Sequence, residues 1–165
     1  VIYRLDPDMS VHAMDAGYVV TNGQAFSPDG ETFYHNDSMA GVIHAFDCDP
    51  GTGEISNKRE FLRLPEDAGL PDGMTVDAAG DLWLAHWDGW RVSRIDAQGT
   101  VRQVIPLPVA QVTSCAFGGP DLDTLFITSA RTGLSAAALA EQPLAGGLFA
   151  LQVDATGRPT DRFGG

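Results

Sequence analysis

Hydrophobic positions along this chain come in short runs rich in Val, Ile, Phe, Tyr and Trp, as in VIYRLDPD, TFYHND, VIHAFDCDPGTGEI, DLWLAHW, RVSRIDAQGTV and TLFITSA. β-Branched and aromatic residues suit a pleated, half-buried surface, so the pattern predicts an all-β chain. The breaks between runs carry turn chemistry. Asp49-Pro50-Gly51-Thr52-Gly53, Ala97-Gln98-Gly99 and Ala155-Thr156-Gly157 supply residues that preset a tight turn or tolerate positive φ, and each predicts a hairpin between neighbouring strands. One segment departs from the pattern: Ser135 to Glu141 is rich in Ala and Leu and stops before Pro143, which predicts a short helix.

The runs repeat. NGQAFSPDGETFYHND from Asn22, DGMTVDAAGDLWLAHW from Asp72 and TSCAFGGPDLDTLFITSA from Thr113 share one plan of polar start, small and apolar residues, Gly-containing turn and strand. Their starts are 50 and then 41 residues apart (22 to 72 to 113), close to the roughly 40 to 50 residues of a four-stranded propeller blade. The expected architecture is a partial β-propeller of about three and a half blades, with residues 1–21 ending one blade and 22–70, 71–112 and 113–165 forming successive units. A closed ring needs about four to eight blades. The missing blades are expected upstream in a longer natural chain, or closure comes from assembly.

The alignment separates two similar tripeptides. Pro28-Asp29-Gly30 falls in the turn between the first two strands of its unit, whereas Pro71-Asp72-Gly73 puts Asp72 at the first position, equivalent to Asn22 and Thr113. Starting positions of successive blades converge at one mouth of a propeller channel. Asn22, Asp72 and Thr113 are therefore expected to face one another, and their carboxylate, amide and hydroxyl oxygens are hard donors suited to a divalent cation. Asn-Gly and Asp-Gly are equally at home as turns bonding their own backbone, so both readings stand at this point.

Composition narrows the function classes. A formal charge of −12 repels nucleic-acid phosphates and anionic lipid, and no apolar run is long enough to span a bilayer. No nucleic-acid or membrane partner is expected. The two cysteines, Cys48 and Cys115, lie outside any CxxC spacing, which points to a reducing, cytoplasmic setting, and Cys115 reads as a small buried residue. His35, His44 and His86 lack metal-ligand spacing and read as packing or blade-surface residues; Trp83 reads as core, with Trp87 or Trp90 as a pocket wall. Ser114 is not in a GxSxG elbow.

The stretches TNGQAFSPDGETFYHNDS, GVIHAFDCDPGTGEISNKREF, LPDGMTVDAAGDLWLAHWDGWRVSRIDAQG and TSCAFGGPDLDTLFITSAR resemble the senescence marker protein, regucalcin and gluconolactonase family of six-bladed propellers. The resemblance implies one divalent ion (calcium, zinc, manganese, magnesium or iron) held by the Asn of the NG motif, the Asp of the PDG motif and a Glu near the family's N-terminus. The first two fall on Asn22 and Asp72; the Glu has no counterpart in this chain, which resembles the C-terminal portion of the family. It further implies hydrolysis of a sugar-derived lactone, with Asp72 as metal ligand and general base; Thr113 or Ser114 is expected, from its address in the repeat alone, to contact substrate hydroxyls. The alternative is a noncatalytic propeller that binds calcium or other proteins.

Overall fold

The computed structural model describes residues 1–163, so the last two residues of the unit 113–165 lie outside the described residues. Strands β1 (Ile2–Leu5) and β2 (Val11–Asp15) form a two-stranded antiparallel ribbon. A four-stranded meander follows, made of β3 (Thr21–Phe26), β4 (Thr32–Asp37), β5 (Val42–Cys48) and β6 (Ile55–Arg63). A second one comprises β7 (Leu70–Val76), β8 (Leu82–Trp87), β9 (Arg91–Ile95) and β10 (Val101–Pro106). The last sheet orders β11 (Val112–Gly118), β12 (Thr124–Ser129) and β13 (Leu148–Gln152). All pairings are antiparallel, and β7 lies against both β3 and β11, so the first strands of the three larger sheets stand side by side. This is a partial β-propeller seen from its inner wall.

The sheets stack through alternating side chains, since successive residues of a strand point to opposite faces. On β8, Leu82 and Leu84 join Ala25, Tyr34, Ile43 and Ala45 of the preceding sheet, while Trp83 and Ala85 join Val112, Cys115, Leu125 and Ile127 of the following one. Strand β8 is thus buried on both faces. A third cluster, Ile2, Phe33 and Phe46, ties the β1–β2 ribbon to the first meander.

The turns form where their chemistry places them. Gly30, at φ +77°, donates its N–H to Ser27 O at 2.9 Å, and the Asp29 carboxylate accepts from the Ser27 hydroxyl at 2.5 Å and the Glu31 N–H at 3.0 Å. Asp29 holds its own turn together. The predicted helix is α1 (Ala136–Glu141), with Ser135 as its N-cap accepting from the Ala138 N–H at 3.1 Å. No helix among the described residues is long and apolar enough to cross a membrane.

One predicted hairpin is corrected. After β13 no further strand forms among the described residues, and Ala155-Thr156-Gly157 does not reverse the chain into one. Thr156 O instead accepts from the Ala78 N–H at 2.8 Å, and the Gly157 N–H donates to Leu122 O at 2.7 Å. Gly157 is buried against Phe117, in space that a Cβ would overlap, and Pro159 two residues on has no N–H for a ladder. The glycine serves close approach rather than a turn, and the tail runs across the β7–β8 and β11–β12 turns.

Candidate functional site

Strands β3, β7 and β11 share a local irregularity. The register of β3 against β4 shifts between Asn22 and Gln24, that of β7 against β8 between Pro71 and Met74, and that of β11 against β12 between Val112 and Ser114. A bulge adds a residue to one strand and re-aims its side chain. The three positions singled out by the repeat, Asn22, Asp72 and Thr113, therefore sit at one structural address, a bulge near the start of each inner strand. Gly23 makes the first bulge possible: its φ is +41°, and a Cβ there would overlap the Asn36 side chain and the Asp72 carbonyl oxygen.

Two of the three side chains meet. Asn22 Nδ2 donates to Asp72 Oδ1 at 2.5 Å, joining residues 50 apart in sequence and one blade apart in space. Asn22 Oδ1 also accepts from the Gly23 N–H at 3.0 Å, the local turn-like bond expected of an Asn-Gly pair. The Asn22-Gly23 pair thus carries a local bond and a contact to the next blade. Two residues not anticipated from the sequence complete the arrangement, because the buried Asn36 Nδ2 donates to Asp72 O at 2.5 Å and the buried Ser38 Oγ donates to Pro71 O at 2.7 Å. They lie on and just after β4, where their alternation looks like ordinary strand polarity. Only the contact between blades distinguishes them.

Asp72 is half-buried, and burial pushes its carboxyl above the usual carboxylate range, with the bonds from Asn22 and the Gly73 N–H offsetting only part of the effect. Asn22 and Asp72 share a cavity of about 280 Å³ with Ser38 on its polar side and Val20, Met39, Leu70 and Trp87 on its apolar side. Trp87 is thus a pocket wall. Trp90 is exposed and does not line this cavity. Thr113 and Ser114 do not line it either. The Thr113 hydroxyl lies 2.8 Å from the Thr128 hydroxyl, while Ser114 Oγ occupies the space beside Gly73 that a Cβ would fill.

The remaining candidates fall to packing. His35 and His86 are buried, and desolvation pushes each imidazole down to about 4, so both stay neutral near pH 7. Cys115 is buried with its thiol 3.1 Å from Trp83 O and pushed up to about 12 by desolvation, which leaves no thiolate for nucleophilic attack. Trp83 is fully buried. Among the described residues no group of three or more His, Cys, Asp or Glu side chains gathers to hold a metal.

An all-β chain of stacked antiparallel meanders, with Asn22 and Asp72 meeting from neighbouring bulged inner strands, defines a β-propeller protein. Residues 1–131 match the family described as SMP-30/Gluconolactonase/LRE-like region, and the chain belongs to that family. It is 42% identical over 165 residues to the pentonolactonase XacC of Haloferax volcanii, covering 98% of this chain and 57% of that protein. Regucalcin of Danio rerio is 46% identical over 149 residues, 90% of this chain and 50% of the relative. The crystal structure of a calcium-binding protein, regucalcin, from Agrobacterium tumefaciens superposes with a TM-score of 0.90 at 32% identity, covering 94% of this chain and 53% of that one. The chain spans about half the length of the curated relatives it matches.

Proposed function

We propose that the protein carrying this chain hydrolyses a sugar-derived lactone, with Asp72 and Asn22 contributing to a divalent-cation site and Asp72 serving as general base. The observation that carries the reading is the Asn22–Asp72 contact, made across two blades inside one cavity by a carboxylate that burial holds above its usual range. Similarity to a pentonolactonase supports a lactone as the substrate class.

The donor set fits a divalent cation in part. A half-buried carboxylate and an adjacent amide are hard oxygen donors, and a cation would relieve the desolvation that now raises the Asp72 carboxyl. Two residues fill only part of a coordination shell, so the other donors come from water and from elsewhere in the longer protein. Oxygen donation by Asn22 requires its amide to turn, since Nδ2 is the atom facing Asp72. When bound, such an ion supplies Lewis-acid polarisation of the lactone carbonyl and lowers the pKa of water.

The chain's own residues do the rest. Asp72 accepts a proton from the attacking water as general base. Before a cation enters, Asn22 Nδ2 donates to Asp72 Oδ1 and holds the carboxylate's orientation. Water adds to the carbonyl carbon, the ring C–O bond breaks, and the ring oxygen takes up a proton to leave the open hydroxy acid. The side chains of Val20, Met39, Leu70 and Trp87 give the cavity an apolar wall. Of the two proposed substrate contacts, Ser114 lies beside Gly73, whereas the Thr113 hydroxyl is engaged with Thr128.

The test is hydrolysis of aldonolactones by the full-length protein with added Ca²⁺, Mn²⁺ or Zn²⁺. Asp72→Asn is expected to lower kcat/KM by at least about 100-fold, the lower end of a general base's contribution, and Asn22→Ala to weaken metal binding. Metal binding without turnover in the parent protein would favour the noncatalytic calcium-binding reading, to which the Agrobacterium relative's description points. Parent-level activity in both variants would overturn the site.

A further inference from the structure

We infer that Asn36 and Ser38 are positioning residues for the cation site. They set its affinity by clamping the backbone that carries Asp72, and the inference rests on the proposed role of Asp72 as a ligand. The bulge in β7 falls after Pro71, which still pairs with His86, and leaves Asp72 without a register partner on β8; the carbonyls of both residues take a side-chain donor. Both donors come from the neighbouring blade: Ser38 Oγ reaches Pro71 O at 2.7 Å and Asn36 Nδ2 reaches Asp72 O at 2.5 Å. With Asn22 on the carboxylate, one blade grips two consecutive residues of the next at three atoms. Neither Asn36 nor Ser38 touches the carboxylate.

Two further features set this apart from ordinary strand polarity. Asn36 is fully buried and its Oδ1 has no hydrogen-bond partner among the described residues, a desolvation cost that an apolar residue of similar size would avoid. The position keeps an amide despite that cost, and the Nδ2 bond to Asp72 O is what the amide provides. Gly23 is the second feature. Only a residue without a Cβ lets Asn36 and the Asp72 carbonyl meet beside it. The three residues act as one device: Gly23 opens the gap, Asn36 and Ser38 bridge it, and the Asp72 side chain is presented from a fixed backbone.

A rigidly presented carboxylate binds a cation without first being ordered, and outer partners of metal ligands typically contribute about 10- to 100-fold to affinity. The experiment is titration of the full-length protein with Mn²⁺, comparing Asn36→Ala, Ser38→Ala, Asp72→Asn and the distant core truncation Ile127→Ala, each with its apo melting temperature. Asn36→Ala and Ser38→Ala are each expected to weaken Mn²⁺ binding about 10-fold or more, whereas Ile127→Ala lowers the melting temperature and leaves affinity within about twofold. If Asn36→Ala does not fold, Ser38→Ala and the core control carry the comparison. Loss of binding in Asp72→Asn with unchanged affinity in the foldable clamp variants would overturn the clamp and leave the cation site standing. Unchanged binding in Asp72→Asn would overturn the site itself, and the clamp with it. Affinity that falls with melting temperature equally in Ile127→Ala and the clamp variants would reduce the clamp to generic stability.

Discussion

Gly23 is the residue on which the site's geometry most depends. Its φ of +41° and the lack of room for a Cβ act together, so Gly23→Ala must distort the bulge, displace Asn36 or push β3 from β7. We expect Gly23→Ala to lower stability by roughly 2 kcal/mol or more, the scale of a backbone strain combined with an overpacked contact. Denaturant unfolding of the chain checks this, and a loss below about 0.5 kcal/mol would show that the gap closes without cost. At this scale the sequence was informative about motifs and silent about partners. Asn22 and Asp72 were legible because equivalent repeat positions converge in a propeller, and the Asn22–Asp72 contact followed from that logic. Asn36 and Ser38 were not legible, since they act through backbone carbonyls of another blade. Thr113 was assigned by address alone, and its hydroxyl turns instead to Thr128 on the paired strand.

Among the elements, the β7–β8 hairpin shows how a turn residue becomes a structural hub. Asp77 is buried; its carboxylate accepts from the N–H groups of Ala79 and Asp81, each at 3.0 Å, and from Trp83 Nε1 at 3.0 Å. Arg94 on β9 pairs with both acids of the hairpin, with Nη2 3.0 Å from Asp77 and Nε 2.7 Å from Asp81. Its guanidinium lies 5.2 Å from the Trp83 ring centroid. Removing the acid leaves the buried Trp83 N–H and two turn N–H groups without their acceptor. Asp77→Ala is expected to lose about 3–5 kcal/mol, as for other broken buried ion pairs, with Asp29→Ala at the exposed counterpart turn losing far less. Comparable losses in thermal unfolding would contradict the distinction. Strand existence and turn positions could be read because alternation and Gly placement are local properties. The path of Ala155-Thr156-Gly157 could not, because its fate is decided by Phe117 and by carbonyl and N–H groups on other hairpins.

Over the whole molecule, the stacked blades depend on neutral histidines at buried positions. His35 on β4 has its ring centroid 4.5 Å from that of Tyr18 in an edge-on contact, and Gln24 Nε2 lies 3.5 Å from its Nδ1. His86 on β8 bonds Ala68 O through Nδ1 at 2.9 Å. Burial is the main cause that pushes both imidazoles down from 6.5 to about 4, reinforced at His35 by His44 and Lys58 and at His86 by Arg91. The sign of the consequence is fixed by proton linkage: between these values the unfolded chain binds protons that the folded chain refuses. Stability is therefore complete above about pH 6.5 and falls as the pH drops through the window towards 4. Melting temperature measured from pH 7.5 to 4.5 is expected to decline, by roughly 2–4 °C for each kcal/mol lost in a chain of this size. Carboxylates that the fold holds low, such as Asp96 with its bonds from the Thr100 and Gln98 N–H groups, lose their contribution at lower pH and so separate from the histidine window. The double variant His35→Phe, His86→Gln tests the assignment through slope rather than absolute stability, since both substitutions disturb packing. A flatter dependence of melting temperature on pH between 6.5 and 4.5 is the expected result, and a slope equal to the parent's would place the acid sensitivity elsewhere in the propeller.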